Sequence, residues 1–329
     1  MEYLQSDSST GSEQPIAATA LRITAFTEMM SSADFAPIGV ELLDLFTARY
    51  DADIRFIGQQ KSLATKGMPY TSCSQQKLNT LRNKIESTGL SGHSFRLCGT
   101  DETPLKAQFL PMLHMTCSGR VVDDVEYPFY HIDLAVAPSE ATDMSFLSEV
   151  DRILRCLPIR AGFEGYSFAK PPAHGNSISR LPPAFLRFRT VTIADWLMPL
   201  EMLYHSKSAE FYLGKYTPGL PDVGWRTRVG GEFAARLGKR PDHPAVRVEQ
   251  AGETKIVTAG DAPIWGDINA GDDISAYRAA AAYLAPAMAS RHVRIKRAPS
   301  YDAHDAQRRE LGEAYLDRFL GTATQGSTI

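Results

Sequence analysis

Three segments decide the fold class: HSFRLCG at residues 93–99, KAQFLPMLHMTCSG at residues 106–119 and FYHIDLAVA at residues 129–137. All three have the composition of strands, and no convincing helix lies between them. Parallel strands need a long crossover connection, usually a helix, so strands that follow one another this closely pair antiparallel. The sequence therefore predicts an α+β fold with a mixed, largely antiparallel sheet, and it argues against a doubly wound parallel sheet.

Amphipathic helices flank these strands. Apolar residues recur on one helical face in residues 38–50, 75–87 and 144–157, so we expect these helices to pack against the sheet. Two later segments, residues 185–191 and 292–298, alternate in the manner of strands. Residues 245–260 predict a hairpin whose loop has three residues, Ala251-Gly252-Glu253.

Changes in composition divide the chain into four parts. Residues 1–15 are polar and predict a flexible N-terminal tail, and residues 16–170 form an N-terminal α+β lobe. The stretch KPPAHGNS, from residue 170 to residue 177, is rich in turn-forming residues and marks the end of this lobe. A C-terminal α+β lobe follows over residues 171–298, and residues 299–329 form a C-terminal helix and tail.

Charge and composition exclude several classes of protein. The 35 basic and 38 acidic residues give a net charge of −3, which offers no long-range attraction to nucleic acid or to an anionic membrane. The start of the chain lacks the basic and apolar segments of a secretory signal, and no apolar run could span a bilayer. We expect a cytoplasmic protein that binds neither nucleic acid nor membrane. The four cysteines are too far apart for a zinc site, and the sequence predicts no cofactor.

No familiar catalytic motif is present. The dinucleotide, P-loop, zinc-protease and nucleophile-elbow patterns are all missing. Asp242, Glu253 and Lys255 match a magnesium-binding pattern of some nucleases. The predicted hairpin, however, places Glu253 at its turn and Asp242 about 25 Å away, too far for two ligands of one ion.

The stretch AGDAPIWGDIN, residues 259–269, followed by Asp272 and Asp273, raises the question of an acidic site. The spacing fails the register of a calcium loop. We expect a structural corner in which Asp272 or Asp273 caps the next helix and the carboxylates of Asp261 and Asp267 accept hydrogen bonds in turns. The alternative is a metal-assisted hydrolase that uses Asp261, Asp267 and Asp272.

This part of the chain resembles a known family. It is similar to the type VI secretion immunity proteins, long listed as a domain of unknown function. The shared pattern is a tryptophan-bearing strand, a helix and a further strand, then a loop of the form A-G-x-x-P-x-x-G-D-x-N and a helix with Y-R-x-x-A-x-x-L-x-P. The residues that carry the resemblance are Trp225, Gly260, Pro263, Gly266, Asp267, Asn269, Tyr277 and Arg278. Arg226, Thr227 and Lys239 depart from the pattern, and the likeness is fainter over residues 20–170.

The resemblance implies a protein without enzymatic activity that binds and neutralises a cognate toxin, a nuclease, encoded nearby. Nuclease grooves are basic, so acidic segments with aromatic residues are the first candidates for the contact surface. The candidates are Asp123, Asp124, Glu126, Tyr127 and Asp222. A solvated hairpin turn is the alternative interpretation of the first four. A scaffold module without a tight partner is a third alternative for the whole chain, and self-association stays open.

Overall fold

The structure, a computed structural model, describes residues 3–6, 14–61, 68–99, 109–122, 125–169, 182–192, 202–205, 210–211, 214–296, 298 and 304–320. The strands are β1 (Tyr3–Ser6), β2 (Gln14–Thr27), β3 (Ile54–Lys61), β4 (Tyr70–Ser72), β5 (His93–Gly99), β6 (Met112–Val122), β7 (Val125–Val136), β8 (Ile159–Ala169), β9 (Arg226–Val229), β10 (Val246–Ala251) and β11 (Thr254–Ala259). The helices are α1 (Ser32–Tyr50), α2 (Gln75–Thr88), α3 (Met144–Leu154), α4 (Pro182–Arg187), α5 (Gly231–Ala235), α6 (Ser275–Leu284), α7 (Arg291–Lys296) and α8 (Ala306–Leu316).

All eleven strands belong to one sheet. Its order is β10-β11-β9-β8-β2-β7-β6-β5-β3-β4, with β1 paired to β2. Every pair of neighbouring strands in this order is antiparallel. Parallel pairing among the described residues is limited to isolated bridges, such as Ser167 with Thr192. The predicted α+β class with a largely antiparallel sheet is confirmed.

Helices cover both faces of the sheet, because successive side chains of a strand point to opposite sides. On β2, Leu21, Ile23 and Ala25 pack into a core with the apolar faces of α1, α2 and α3. Phe26 points the other way and joins a second core, which α6 completes against β10 and β11. No helix within the described ranges is long and apolar enough to cross a membrane.

The helix ends follow from local sequence. Ser31 and Ser74 cap α1 and α2, each accepting a hydrogen bond from an amide in the first turn. Helix α2 ends at Gly89, which has φ 52° and approaches the start of α1 closely. A Cβ at this position would lie 2.1 Å from the carbonyl oxygen of Ser32, so only glycine fits.

The two predicted lobes share the sheet. The boundary expected near residue 170 falls just after β8, yet β8 pairs with β9 over four residues, from Ala161 with Val229 to Glu164 with Arg226. Main-chain hydrogen bonds therefore join the strands on the two sides of this boundary. Within residues 1–15, where the sequence predicts a flexible tail, Tyr3–Ser6 pairs with β2, and β2 begins at Gln14.

Two short segments that alternate like strands begin as helices. Residues 182–187 form α4, which places Phe185 and Phe188 one helical turn apart, so that both rings contact Phe168. Residues 291–296 form α7, whose Val293 is fully buried. The hairpin of β10 and β11 is confirmed, but its loop has two residues, because Ala251 pairs directly with Thr254.

A buried ion network lies at the junction of β8 and β9. Glu164 and Arg228 have side chains that are 1% and 2% exposed. Asp151 of α3 accepts hydrogen bonds from Arg228 Nη2 at 2.6 Å and from Arg226 Nη2 at 2.9 Å. Glu164 Oε2 contacts the same two guanidinium groups at 3.2–3.3 Å. The network fixes α3, β8 and β9 to one another.

Because of this network, the free energy of unfolding depends on pH in the acid range. Burial alone would raise the pKa of Asp151, but the charges of Arg228 and Arg226 outweigh burial and lower this pKa to about 2. The folded pKa therefore lies below the unfolded one, so the stabilisation is complete above about pH 4 and is lost as the pH falls towards 2. Asp151→Asn is expected to lower the free energy of unfolding at pH 7 by at least about 2 kcal/mol.

The same variant should also flatten the pH dependence of stability between about pH 4 and pH 2, measured by urea unfolding at each pH. Glu253→Gln, at the exposed hairpin turn, is the control and should leave the wild-type profile unchanged. A wild-type slope that persists in Asp151→Asn would contradict the role of this carboxylate.

Candidate functional site

The 259–273 corner, which contains the acidic stretch of the sequence, is built from tight turns. Gly260, Gly266 and Gly271 all have positive φ, at 87°, 63° and 71°. At Gly266 a Cβ would lie 2.7 Å from Thr190 Cγ2, so both conformation and space require glycine. The corner is therefore fitted against the segment that follows α4.

Asp267 connects the corner to Arg187 at the end of α4. Its carboxylate receives two hydrogen bonds from Arg187, at 3.0 Å from Nε and 2.7 Å from Nη2. Asp267 Oδ1 also accepts a hydrogen bond from the amide of Asn269 at 2.9 Å. The hydrogen bonds from Arg187 lower the pKa of Asp267, so the carboxylate is ionised at neutral pH. Its own amide donates to Asp272 Oδ2 at 2.8 Å.

Main-chain hydrogen bonds extend this contact. The amide of Arg189 donates to the carbonyl of Gly266, and the amide of Ile268 donates to the carbonyl of Arg187, both at 3.1 Å. Phe188 and Asp267 form an antiparallel bridge between these bonds. The corner and the end of α4 therefore behave as a short two-stranded element that ties distant parts of the chain together.

Aromatic side chains support the corner from below. Trp265 stacks on Tyr166 of β8 with 4.6 Å between ring centroids. Trp225 is buried and donates from Nε1 to the carbonyl of Gly260 at 3.2 Å. Tyr277 of α6 is also buried and stacks on Phe319, with 6.2 Å between ring centroids. Trp225 and Tyr277 belong to the second core, whereas Trp265 packs against a separate cluster around Phe168, so the corner rests on two groups of apolar residues.

Asp273 caps the first amide of α6, as the sequence predicts, although the N-cap position itself is Ile274, which makes no side-chain hydrogen bond. Its Oδ1 accepts a hydrogen bond from the amide of Ser275 at 2.8 Å, and Oδ2 accepts one from the Ser275 hydroxyl at 3.0 Å. These bonds lower the pKa of Asp273, and its negative charge also suits the N-terminus of α6. The corner thus uses its carboxylates to accept hydrogen bonds from its own turns and from Arg187.

The arrangement offers little to a metal ion. Asp267 and Asp272 are committed to the protein contacts above, and Asp261, with 94% of its side chain exposed, pairs with Arg247 at 2.6 Å. Within the described ranges, no three His, Cys, Asp or Glu residues are grouped so that they could hold a metal. Glu253 lies in the hairpin turn, and Lys255 Nζ donates to the carbonyl of Ala234 at 3.3 Å.

The predicted contact residues lie in two different places. Asp123 and Asp124 fall outside the described residues, between the last pair of the β6–β7 ladder, Val122 with Val125. Glu126 and Tyr127 belong to β7, where they pair with Val121 and Arg120. Both therefore lie near the turn end of a long hairpin.

Asp222 lies in the interior. It is 5% exposed, and its carboxylate accepts hydrogen bonds from Arg318 Nη2 and from the Tyr315 hydroxyl. Burial raises the pKa of Tyr315, so that its hydroxyl stays protonated and donates. The carboxylate has no free surface to offer a partner in this position, and its contacts fasten α8 to the loop before β9. This corrects the expectation that Asp222 is an exposed contact residue.

Arg187 and Arg318 are the residues that sequence reasoning missed. Each arginine bonds a carboxylate that the sequence analysis had singled out, but the partners are 80 and 96 residues apart along the chain. No local pattern links residues at such separations. Only their hydrogen bonds to Asp267 and Asp222 in the folded chain show their role.

The comparisons with known proteins concern the fold. No protein family model matches the chain, and no curated protein matches it. A solved structure of the type VI secretion system (T6SS) protein PA0821 of Pseudomonas aeruginosa is similar, with a TM-score of 0.66 and 13% sequence identity. The similarity covers 96% of this chain and 87% of the other. The two proteins share a fold over nearly their whole lengths.

The burial of Asp222 leads to a stability prediction. Asp222→Asn leaves the cation of Arg318, 2% exposed, without its counter-charge, so the free energy of unfolding should fall by about 3–5 kcal/mol. Asp317→Asn is the matched control, because it removes an ion pair at the surface. The side chain of Asp317 is 39% exposed, and that of its partner Arg291 is 51% exposed. The control should cost at most about 1 kcal/mol in the same urea titration. Equal losses would mean that Asp222 is not a buried anchor.

Proposed function

We propose that this chain is an immunity protein that binds and neutralises a toxin delivered by a type VI secretion system. The fold similarity to a T6SS protein over 96% of the chain carries the proposal. The resemblance of residues 225–286 to the immunity family supports it independently, since that resemblance comes from sequence alone. The toxin expected from this resemblance is a nuclease.

The contacts of the corner explain what the resemblance means physically. Residues such as Trp225, Gly266, Asp267 and Tyr277 hold turns, cores and connections in place. These residues are therefore characteristic of the fold, and we expect other surfaces to determine which toxin is bound. Loops are such surfaces, because they vary without disturbing the core.

Neutralisation requires a surface that covers the toxin's active site or nucleic-acid groove, commonly about 1,600 Å² in total. The turn at the end of β6 and β7 is our candidate for the centre of this surface. Strands β6 and β7 have eleven and twelve residues, and Asp123 and Asp124 stand between them in the sequence. Their charges would steer a basic groove towards it, and Tyr127 would supply an aromatic anchor.

Co-expression with the product of the neighbouring toxin gene tests the proposal. We expect the chain to restore growth and to co-purify with the toxin as a stoichiometric complex. Replacing Asp123 and Asp124 together with lysine should weaken both effects by slowing association, while Glu310→Lys on α8 should not. Cell death together with the absence of a complex would refute the immunity function for that toxin, whereas rescue by the lysine variant would refute only the proposed surface.

The alternative of a metal-assisted hydrolase makes a different prediction for Asp267. An immunity protein should show no magnesium-dependent phosphoester hydrolysis, and Asp267→Ala should only lower its thermal midpoint by releasing Arg187. Asp261→Ala, at an exposed position, should leave that midpoint unchanged. Hydrolysis by the purified protein that is abolished by Asp267→Ala would decide for the enzyme. A scaffold module, the third alternative, would give neither hydrolysis nor a tight complex with the toxin.

A further inference from the structure

The outer edge of β10 is not paired with any strand of the described residues. Strand β10 ends the sheet. The amide of Gly260 donates to the carbonyl of Ala245, which fixes the ladder so that odd-numbered residues of β10 bond β11. Val248 and Gln250 therefore direct their N–H and C=O groups outwards, ready to bond another strand.

Charged side chains usually protect such edges from pairing. On β10 the charges are Arg247 and Glu249, and both are held by their own chain. Arg247 pairs with Asp261 at 2.6 Å, and Glu249 pairs with Arg155 of the α3 end at 2.7 Å. The opposite end of the sheet is β4, which has only three residues. The longer edge with the restrained charges is the one suited to pairing.

We propose that β10 pairs antiparallel with β10 of a second copy of this chain, around a two-fold axis at Val248. Two facts select a second copy. In this register the outward N–H and C=O groups of Val248 meet those of Val248 of the partner subunit, and the amide of Gln250 meets the carbonyl of Val246 of the partner subunit. The amide of Val246 itself donates to the carbonyl of His243 at 3.0 Å and takes no part. Arg247 lies directly opposite Glu249 of the partner subunit, and the symmetry repeats this contact of opposite charges.

The pairing also extends the ion pairs that each copy already has. Asp261, Arg247, Glu249 of the partner subunit and Arg155 of the partner subunit form a row of alternating charges across the junction. On the other face of the sheet the half-buried Val248 meets its symmetry copy. The dimer does not rest on the immunity function, because a monomer could bind a toxin equally well. Its interface is a single strand edge, so it forms in a concentration-dependent manner.

Sedimentation of the full chain over a concentration series tests the pairing. We expect a reversible monomer–dimer equilibrium for the wild type. Val248→Pro removes an outward amide without touching the β10–β11 ladder, and it should abolish the dimer while leaving the circular dichroism spectrum unchanged. A wild type that stays monomeric at all concentrations, or a folded Val248→Pro variant that dimerises normally, would overturn the proposal.

A charge exchange tests the register even if the proline variant fails to fold. Arg247→Glu and Glu249→Arg should each raise the dimer Kd by about tenfold, because like charges then lie opposite one another twice. The double variant should regain a Kd near that of the wild type. It cannot regain the contacts with Asp261 and Arg155 within one chain, so recovery would come only from the junction. Glu310→Arg on α8 is the control, and a double variant no better than the single ones would overturn the register.

Discussion

The contacts of Asp151 and Glu164 with Arg226 and Arg228 are the interaction on which the rest of the structure depends. Removing four charged groups from water is costly, and it is tolerated only when each charge meets an opposite one at close range. Here the carboxylates come from α3 and β8, and the guanidinium groups come from β9. The cost of separating them makes the two halves of the chain one structural unit.

Much of the fold could be predicted because many elements are buried on one side only. Helices such as α2 show this directly, since Leu78, Leu81 and Ile85 are its buried residues. Helix α7 shows why the rest could not be predicted. Val293 packs with Met202 and Tyr216, while Ile295 packs against a different cluster around Phe168, so apolar residues on two sides imitate the alternation of a strand.

The candidate site divides in the same way between local and distant contacts. The cap by Asp273 could be predicted because its partner, Ser275, is two residues away. The failure of the calcium register could also be read from spacing alone. The roles of Asp267 and Asp222 could not, because arginines from remote segments decide whether a carboxylate faces a partner, a metal or the protein itself. Burial is a property of the whole fold, and the composition around Asp222 carried no sign of it.

The position of β2 has a consequence for the time course of folding. This strand is near the start of the chain, yet its neighbours in the sheet are β7 and β8, and its Arg22 pairs with Asp133, 111 residues later. Contacts between distant residues close large loops and slow folding. During synthesis the residues of β2 that pair with β7 and β8 have neither of these partners until both strands have left the ribosome. The central strand is therefore made early, but both its long neighbours are present only after about half of the chain has been synthesised.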